Sequence, residues 1–182
     1  EYLPLQGMVP WPAWITQLKD SFTPGSQYTL FDIDGIKFGT PICWENLFSG
    51  HFRKFVNNGA NFMVSVTNEA FMGRSAAPYQ TLAATVFRAV ENRTAIARCS
   101  STGVSAFIQP DGKIQNRVKD DKGQDLFVQG FLVKDIPVSD RKTFYTIHGD
   151  IFAIGSIILA LVFILYSLFC SLTGSEILKF PQ

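Results

Sequence analysis

Tyr28-Thr29-Leu30-Phe31-Asp32-Ile33-Asp34-Gly35-Ile36-Lys37-Phe38-Gly39-Thr40-Pro41-Ile42 reads as two strands folded about Asp34-Gly35. That dipeptide tolerates the positive φ angles a two-residue hairpin demands. Glu45 to Asn58 then has helical periodicity, with Leu47, Phe48, Phe52, Phe55 and Val56 on one face and Asn58-Gly59 as its stop. Asn61-Phe62-Met63-Val64-Ser65-Val66-Thr67 follows as a buried strand. The unit is strand, helix, strand, and the pattern continues outward from it. A second helix is expected from about Pro78 to Asn92, with Pro near its first turn and Leu82, Val86 and Val90 at i, i+4 and i+8. Thr94 to Ser100 and Val104 to Gln109 read as strands split by Ser101-Thr102-Gly103. Pro110-Asp111-Gly112-Lys113 turns the chain into a strand from Ile114 to Val118. Lys119-Asp120-Asp121-Lys122-Gly123 reads as a solvated loop, and Leu126 to Ile136 as a returning strand. Strands alternating with helices argue for a layered α/β fold, helices covering a sheet.

The 182 residues are 47% apolar and 14% aromatic but only 17% charged, which excludes a disordered, coiled-coil or collagen-like chain. Lys and Arg number 16 against 15 Asp and Glu, and no basic block occurs, so the field that would attract nucleic acid is missing. Cys43, Cys99 and Cys170 have neither disulfide-framework nor C-x-x-C spacing. His51, on the expected polar side of the first helix, and His148 have no partner at ligand spacing, so neither a metal nor a cofactor is expected. Arg88 and Glu91, i and i+3 on the second helix, read most simply as a surface ion pair, although Glu91 could equally line the sheet-facing side. Trp11, Trp14 and Phe22 are expected to cap the core, with insertion into lipid as the alternative.

From Ile151 to Leu172 no charge occurs, and all residues but Gly155, Ser156, Ser167 and Ser171 are apolar. At about 1.5 Å per residue, a helix of that length crosses a hydrocarbon core of roughly 30 Å. A transmembrane helix is expected there, preceded by an α/β domain over residues 1–150 and followed by a short tail over 173–182. Lys134, Arg141 and Lys142 precede the span and only Lys179 follows it, which by charge alone would leave the domain in the cytoplasm. The chain opens on Glu1-Tyr2-Leu3-Pro4 and not on Met, and it is expected to be a piece of a longer protein.

Cys43 falls where a buried strand gives way to a helix. A sharp turn there exposes a side chain, the helix start favours a thiolate, and the backbone N–H groups that follow can bind an oxyanion. Glu45 brings a carboxylate two residues on. On these residues alone two readings stand side by side: Cys43 as a nucleophile, or Cys43 as a small buried apolar residue with Glu45 complementing the helix dipole.

Pro41-Ile42-Cys43-Trp44-Glu45, Gly59-Ala60-Asn61-Phe62 and Thr67-Asn68-Glu69-Ala70-Phe71-Met72-Gly73 resemble the carbon–nitrogen hydrolase (nitrilase) superfamily. Within it the chain is similar to the apolipoprotein N-acyltransferase family. Phe87-Arg88-Ala89-Val90-Glu91-Asn92-Arg93, Ser101-Thr102-Gly103-Val104-Ser105-Ala106, Pro110-Asp111-Gly112 and Thr143-Phe144-Tyr145-Thr146-Ile147-His148-Gly149-Asp150 occur in that family's order, the last running straight into the apolar span. The sequence departs from the family in Trp44, where Tyr is common, and in Glu69, where Asp is usual.

The resemblance implies part of a nitrilase-like layered domain followed by a membrane helix. It also implies an acyltransferase that takes an acyl chain from a phospholipid onto a cysteine and passes it to the N-terminal diacylglyceryl-cysteine of a lipoprotein. By residue, it makes Cys43 the nucleophile, Trp44 a backbone oxyanion donor, and Glu45 and Glu1 accessory acids. The family's general-base Glu and its Lys lie ahead of the motif that Glu1 begins, so residues 1–182 alone are expected to be inactive; Lys37, Lys54 and Glu69 do not stand in the corresponding blocks. The implied location is the bacterial inner membrane, with the domain facing the periplasm. This placement is adopted over the one read from charge, because it gives access to exported lipoproteins. Two rivals remain at this stage: a membrane-tethered amidase acting on small amides, and a membrane-anchored interaction module without catalysis.

Overall fold

A computed structural model describes residues 25–172. Glu1, Trp11, Trp14, Phe22 and the tail over 173–182 lie outside the described residues.

Six strands form one sheet in chain order: β1 (Leu30–Ile33), β2 (Ile36–Gly39), β3 (Phe62–Thr67), β4 (Ile96–Ser100), β5 (Ala106–Ile108) and β6 (Ile114–Arg117). The β1–β2 hairpin turns on Asp34 and Gly35 at φ 51° and 84°, with the Gly35 N–H donating to Asp32 Oδ1 at 2.8 Å. β2, β3 and β4 run parallel, each joined to the next through a helix, and β5 and β6 return antiparallel. The crossovers are α1 (Ser49–Asn57) and α2 (Ala77–Asn92).

Alternation along the strands decides what the helices cover. Met63 on β3, Ile96 on β4 and Ile108 on β5 stand in one register row and are buried. Phe52, Phe55 and Val56 of α1 and Leu82 and Ala89 of α2 pack with them. Gly39 lets α1 approach β2, since a Cβ there would sit 2.6 Å from the Phe55 ring. The next row, Ser65, Arg98 and Ala106, faces the same way. On the opposite face Phe31, Phe38 and Phe62 stack across β1, β2 and β3 with ring centroids 5.2 Å apart at each step.

Several sequence expectations are corrected. The helix expected from Glu45 to Asn58 is broken at Phe48, which is extended at φ −86° and ψ 103°. A 3-10 turn (Cys43–Leu47) precedes it, so Phe48 leaves the apolar stripe and is exposed. On α2 the buried face is Pro78, Leu82, Thr85, Arg88, Ala89 and Asn92, whereas Val90 lies at the surface. Polar side chains turn inward there because each finds partners in the interior. Arg88 is therefore no surface ion pair: it is 8% exposed and donates to the Leu47 carbonyl at 2.9 Å as well as to Glu91 at 2.7 Å. The segment expected as a strand from Leu126 to Ile136 forms no ladder among the described residues; Phe127 adopts φ 56°, which interrupts an extended run. Phe131 is left 87% exposed. His51 does not sit on a polar face but packs against Tyr28 and Phe55, with ring centroids 4.9 and 5.5 Å away.

A short helix α3 (Phe144–His148) docks on α1 and α2. Thr143 caps it, accepting from the Thr146 N–H at 2.9 Å while donating to the Glu91 carbonyl at 2.6 Å. Arg53 of α1 donates to the Thr146 carbonyl at 2.8 Å. Gly149 at φ 68° then turns the chain into α4 (Ile151–Leu172), the helix expected from the sequence. It has 22 residues, a peak mean hydropathy of 2.7 and side chains that are exposed almost throughout, so by length and composition it can cross a membrane.

Candidate active site

The chain leaves β2 through Thr40 and Pro41, and Ile42 makes one further parallel bridge to Val66 of β3. Cys43 comes next, at φ 55°. A left-handed backbone is costly for a side chain other than Gly, Asn or Asp, and such strain persists only where the surroundings over-determine it. Here five hydrogen bonds do so. The Pro41 carbonyl accepts from the Val66 N–H at 3.3 Å. The Glu45 carboxylate reaches back to the Ile42 N–H at 2.8 Å, while the Glu45 N–H donates to the Ile42 carbonyl at 3.1 Å. The Asn46 amide donates to Thr85 Oγ1 at 2.5 Å, and Arg88 holds the Leu47 carbonyl. Both last contacts bind the turn to α2. The result is a cysteine presented at the end of a parallel strand, at the first residue of a helical turn, the geometry the sequence suggested.

Cys43 lines a narrow crevice together with Thr67 at the end of β3, Asn68 and Glu69 just after it, and Arg98 and Thr81. Among the described residues no acceptor takes the Trp44 N–H at the start of the turn. The Trp44 side chain is 42% exposed. Glu45 belongs to a second space: an open cleft of 750 Å³ lined by Tyr28, Phe38, Ile42, Glu45, Phe48 and His51, among others. Its Oε2 lies 3.7 Å from His51 Nε2. The structure thus brings Cys43, Trp44 and Glu45 together in one turn but sends the Glu45 carboxylate toward the cleft. Among the described residues no three His, Cys, Asp or Glu side chains gather as a metal site would need.

Behind the crevice lies a network that the sequence reading did not identify. Glu69 is 2% exposed and Arg98 4%. Glu69 Oε1 accepts from Arg98 Nη2 and from Thr81 Oγ1, each at 2.5 Å, and its Oε2 from Ser100 Oγ at 3.1 Å. Arg98 also donates to Thr85 Oγ1 at 3.0 Å and to the Val104 carbonyl at 3.2 Å. Gly103 is required beside it, because a Cβ there would lie 1.7 Å from Glu69 Oε2. One signal was available in the sequence: Arg98 is a lone charge at an inward position of a central strand, and such a charge needs a buried counter-ion.

Away from this centre, Asp125 accepts from Tyr79 at 2.7 Å and Arg117 at 2.9 Å. Burial pushes its carboxyl up, but those two donors outweigh it and hold the group below the usual carboxylate range. The same hydrogen bond to Asp125 raises the Tyr79 hydroxyl. Burial likewise raises the Tyr145 hydroxyl.

Residues 11–140 match the model of the carbon-nitrogen hydrolase family. The chain is 33% identical over 153 residues to an apolipoprotein N-acyltransferase of Geobacter metallireducens, a match covering 84% of the chain and 28% of that protein. It is 34% identical over 140 residues to apolipoprotein N-acyltransferase 1 of Treponema pallidum, covering 76% and 24%. The chain therefore spans about a quarter of the length of these relatives. Among solved structures it is similar to an amidase from Nesterenkonia sp., with 23% identity, a TM-score of 0.46 and coverage of 55% of the chain and 40% of the amidase. The family match extends over well more than half of the sequence and contains the whole Cys43 turn, and on that basis the chain belongs to the carbon–nitrogen hydrolase family.

Proposed function

We propose that this chain is the C-terminal part of an apolipoprotein N-acyltransferase of the bacterial inner membrane, its domain facing the periplasm. The observation that carries the reading is Cys43 at φ 55° in the turn after a parallel strand, within a chain whose relatives bear that name. α4, long and apolar enough to span a bilayer, supports a site kept beside lipidic substrates.

In the proposed reaction the Cys43 thiolate attacks the ester carbonyl of a phospholipid. The tetrahedral oxyanion forms against the Trp44 backbone N–H, and collapse expels a lysophospholipid, leaving a thioester on Sγ. The free α-amine of a diacylglyceryl lipoprotein then attacks the thioester, forming an amide and returning the thiolate. Glu1 and Glu45 serve as accessory acids. The Glu45 carboxylate does so from its bond to the Ile42 N–H, where it fixes the turn. The general-base Glu and the oxyanion-binding Lys of this mechanism come from the portion of the protein ahead of Glu1.

Incubating the full-length protein with phospholipid should give an acyl adduct on Cys43 by mass spectrometry, released on adding a diacylglyceryl peptide. Cys43→Ala should abolish both. An active protein acylated on Cys99, or one that hydrolyses small soluble amides and ignores phospholipid, would overturn the assignment.

A further inference from the structure

The buried network behind Cys43 calls for a reason, because burying Arg98 and Glu69 gains little stability over a well-packed apolar core of the same volume. Its connections supply one. Arg98 Nη1 and the Asn46 amide meet on one atom, Thr85 Oγ1, at 3.0 and 2.5 Å. Thr85 Oγ1 donates its own hydrogen to the Thr81 carbonyl at 2.9 Å, so it is saturated and its direction is set. Asn46 stands three residues after Cys43, inside the same 3-10 turn. Groups held on several directed partners are confined more tightly than an apolar contact, which tolerates sliding; only the Asn46 Oδ1, at the far end of the link, is buried without a partner among the described residues of this link. The link therefore runs from a central strand, through one hydroxyl on α2, into the turn whose left-handed first residue needs outside restraint.

We propose that Arg98 and Glu69 are positioning residues for Cys43, acting through Thr85 and Asn46 to hold the thiol at the angle from which it attacks. The inference rests on Cys43 being the nucleophile and adds the residues that orient it. Glu69 fixes the Arg98 guanidinium from one side and Ser100 fixes Glu69 from the other, so the restraint is anchored in β4, by Arg98 and Ser100, and in the loop that leaves β3, by Glu69.

The test cuts the link and leaves the ion pair intact. In the full-length protein, Thr85→Val removes the shared hydroxyl while keeping the branched shape, and Thr85→Ser puts the hydroxyl back. Two quantities are read: kcat and KM for phospholipid-dependent acyl transfer, and the rate of Cys43 alkylation by iodoacetamide. Thr85→Val should lower kcat about 100-fold, the scale of an ångström of misplacement, with KM within about twofold and alkylation slowed. Thr85→Ser should recover most of both. A folded Thr85→Val protein with unchanged kcat and alkylation rate would overturn the proposal, as would losses that Thr85→Ser fails to restore. If Thr85→Val does not fold, Asn46→Leu at the other end of the link is judged by the same two readouts. Slowed alkylation in a protein whose wild type transfers no acyl chain would support the positioning and sink the acyltransferase reading, which keeps the two apart.

Discussion

Glu91 shows how a single side chain sets a pH dependence in this domain. Burial is the largest influence on its carboxyl and raises it above the usual range; the Arg88 guanidinium at 2.7 Å opposes this without cancelling it. Its second oxygen is buried without a hydrogen-bond partner among the described residues, which explains why the charged form is disfavoured. A carboxyl raised in the folded state keeps its proton over a pH range in which the unfolded chain has lost it. Its contribution to stability is present in full below the unfolded value, about 4.3, and is lost as pH rises through the folded one. Glu91→Gln removes that dependence, so its stability relative to the wild type should increase from pH 4 to pH 7 in urea unfolding. A constant or falling difference would show that the Arg88 pair, not burial, governs the site. Residues of this kind were the least legible in the sequence. Cys43 was visible because its place depends on a local change from strand to helix. Arg88, Arg98 and Glu69 were not assigned their interior places, since which face of an element carries buried charge depends on partners distant in the chain.

At the scale of elements, local chemistry was read more faithfully than pairing. The Asp34-Gly35 hairpin, β3 and the start of α4 at Ile151 follow from short-range rules and stand where expected. The break at Phe48 was hidden because an apolar residue in phase with the helix gives no sign of leaving it. The 126–136 segment was hidden because its apolar residues suit a strand, while Phe127 at φ 56° takes the chain out of an extended path. The packing of α1 on β2 gives a sharper test. Gly39 faces Phe55 so closely that a Cβ would lie 2.6 to 2.9 Å from three of its atoms. Gly39→Ala should therefore destabilise the domain by about 1–3 kcal/mol, as overpacking does. Gly39→Ala combined with Phe55→Leu should recover part of that loss in thermal unfolding. Equal stability of Gly39→Ala and wild type would mean that α1 rides farther from the sheet than the structure places it.

At the scale of the whole molecule, the domain and the apolar helix are joined by a short, well-anchored connection and not by a loose linker. Thr143 and Thr146 tie α3 to the end of α2, Thr146 through Asn92 at 3.0 Å, and Arg53 ties it to α1. Gly149, at φ 68°, then turns the chain directly from the anchored α3 into α4. If α4 spans a bilayer, this anchoring fixes the height of Cys43 above the lipid and not merely its attachment. Val162→Asp places a charge near the middle of α4 and should cost about 2.5–3.5 kcal/mol of insertion, whereas the same change at Leu172 should cost less because it lies at the interface. Deleting residues 151–182 from the full-length protein separates placement from folding. Acyl transfer between lipidic substrates should fall more than the alkylation rate of Cys43, since a small soluble reagent does not need the membrane. If both fell equally, α4 would be serving the fold of the domain; if neither fell, the helix would have no part in bringing the cysteine to its substrates.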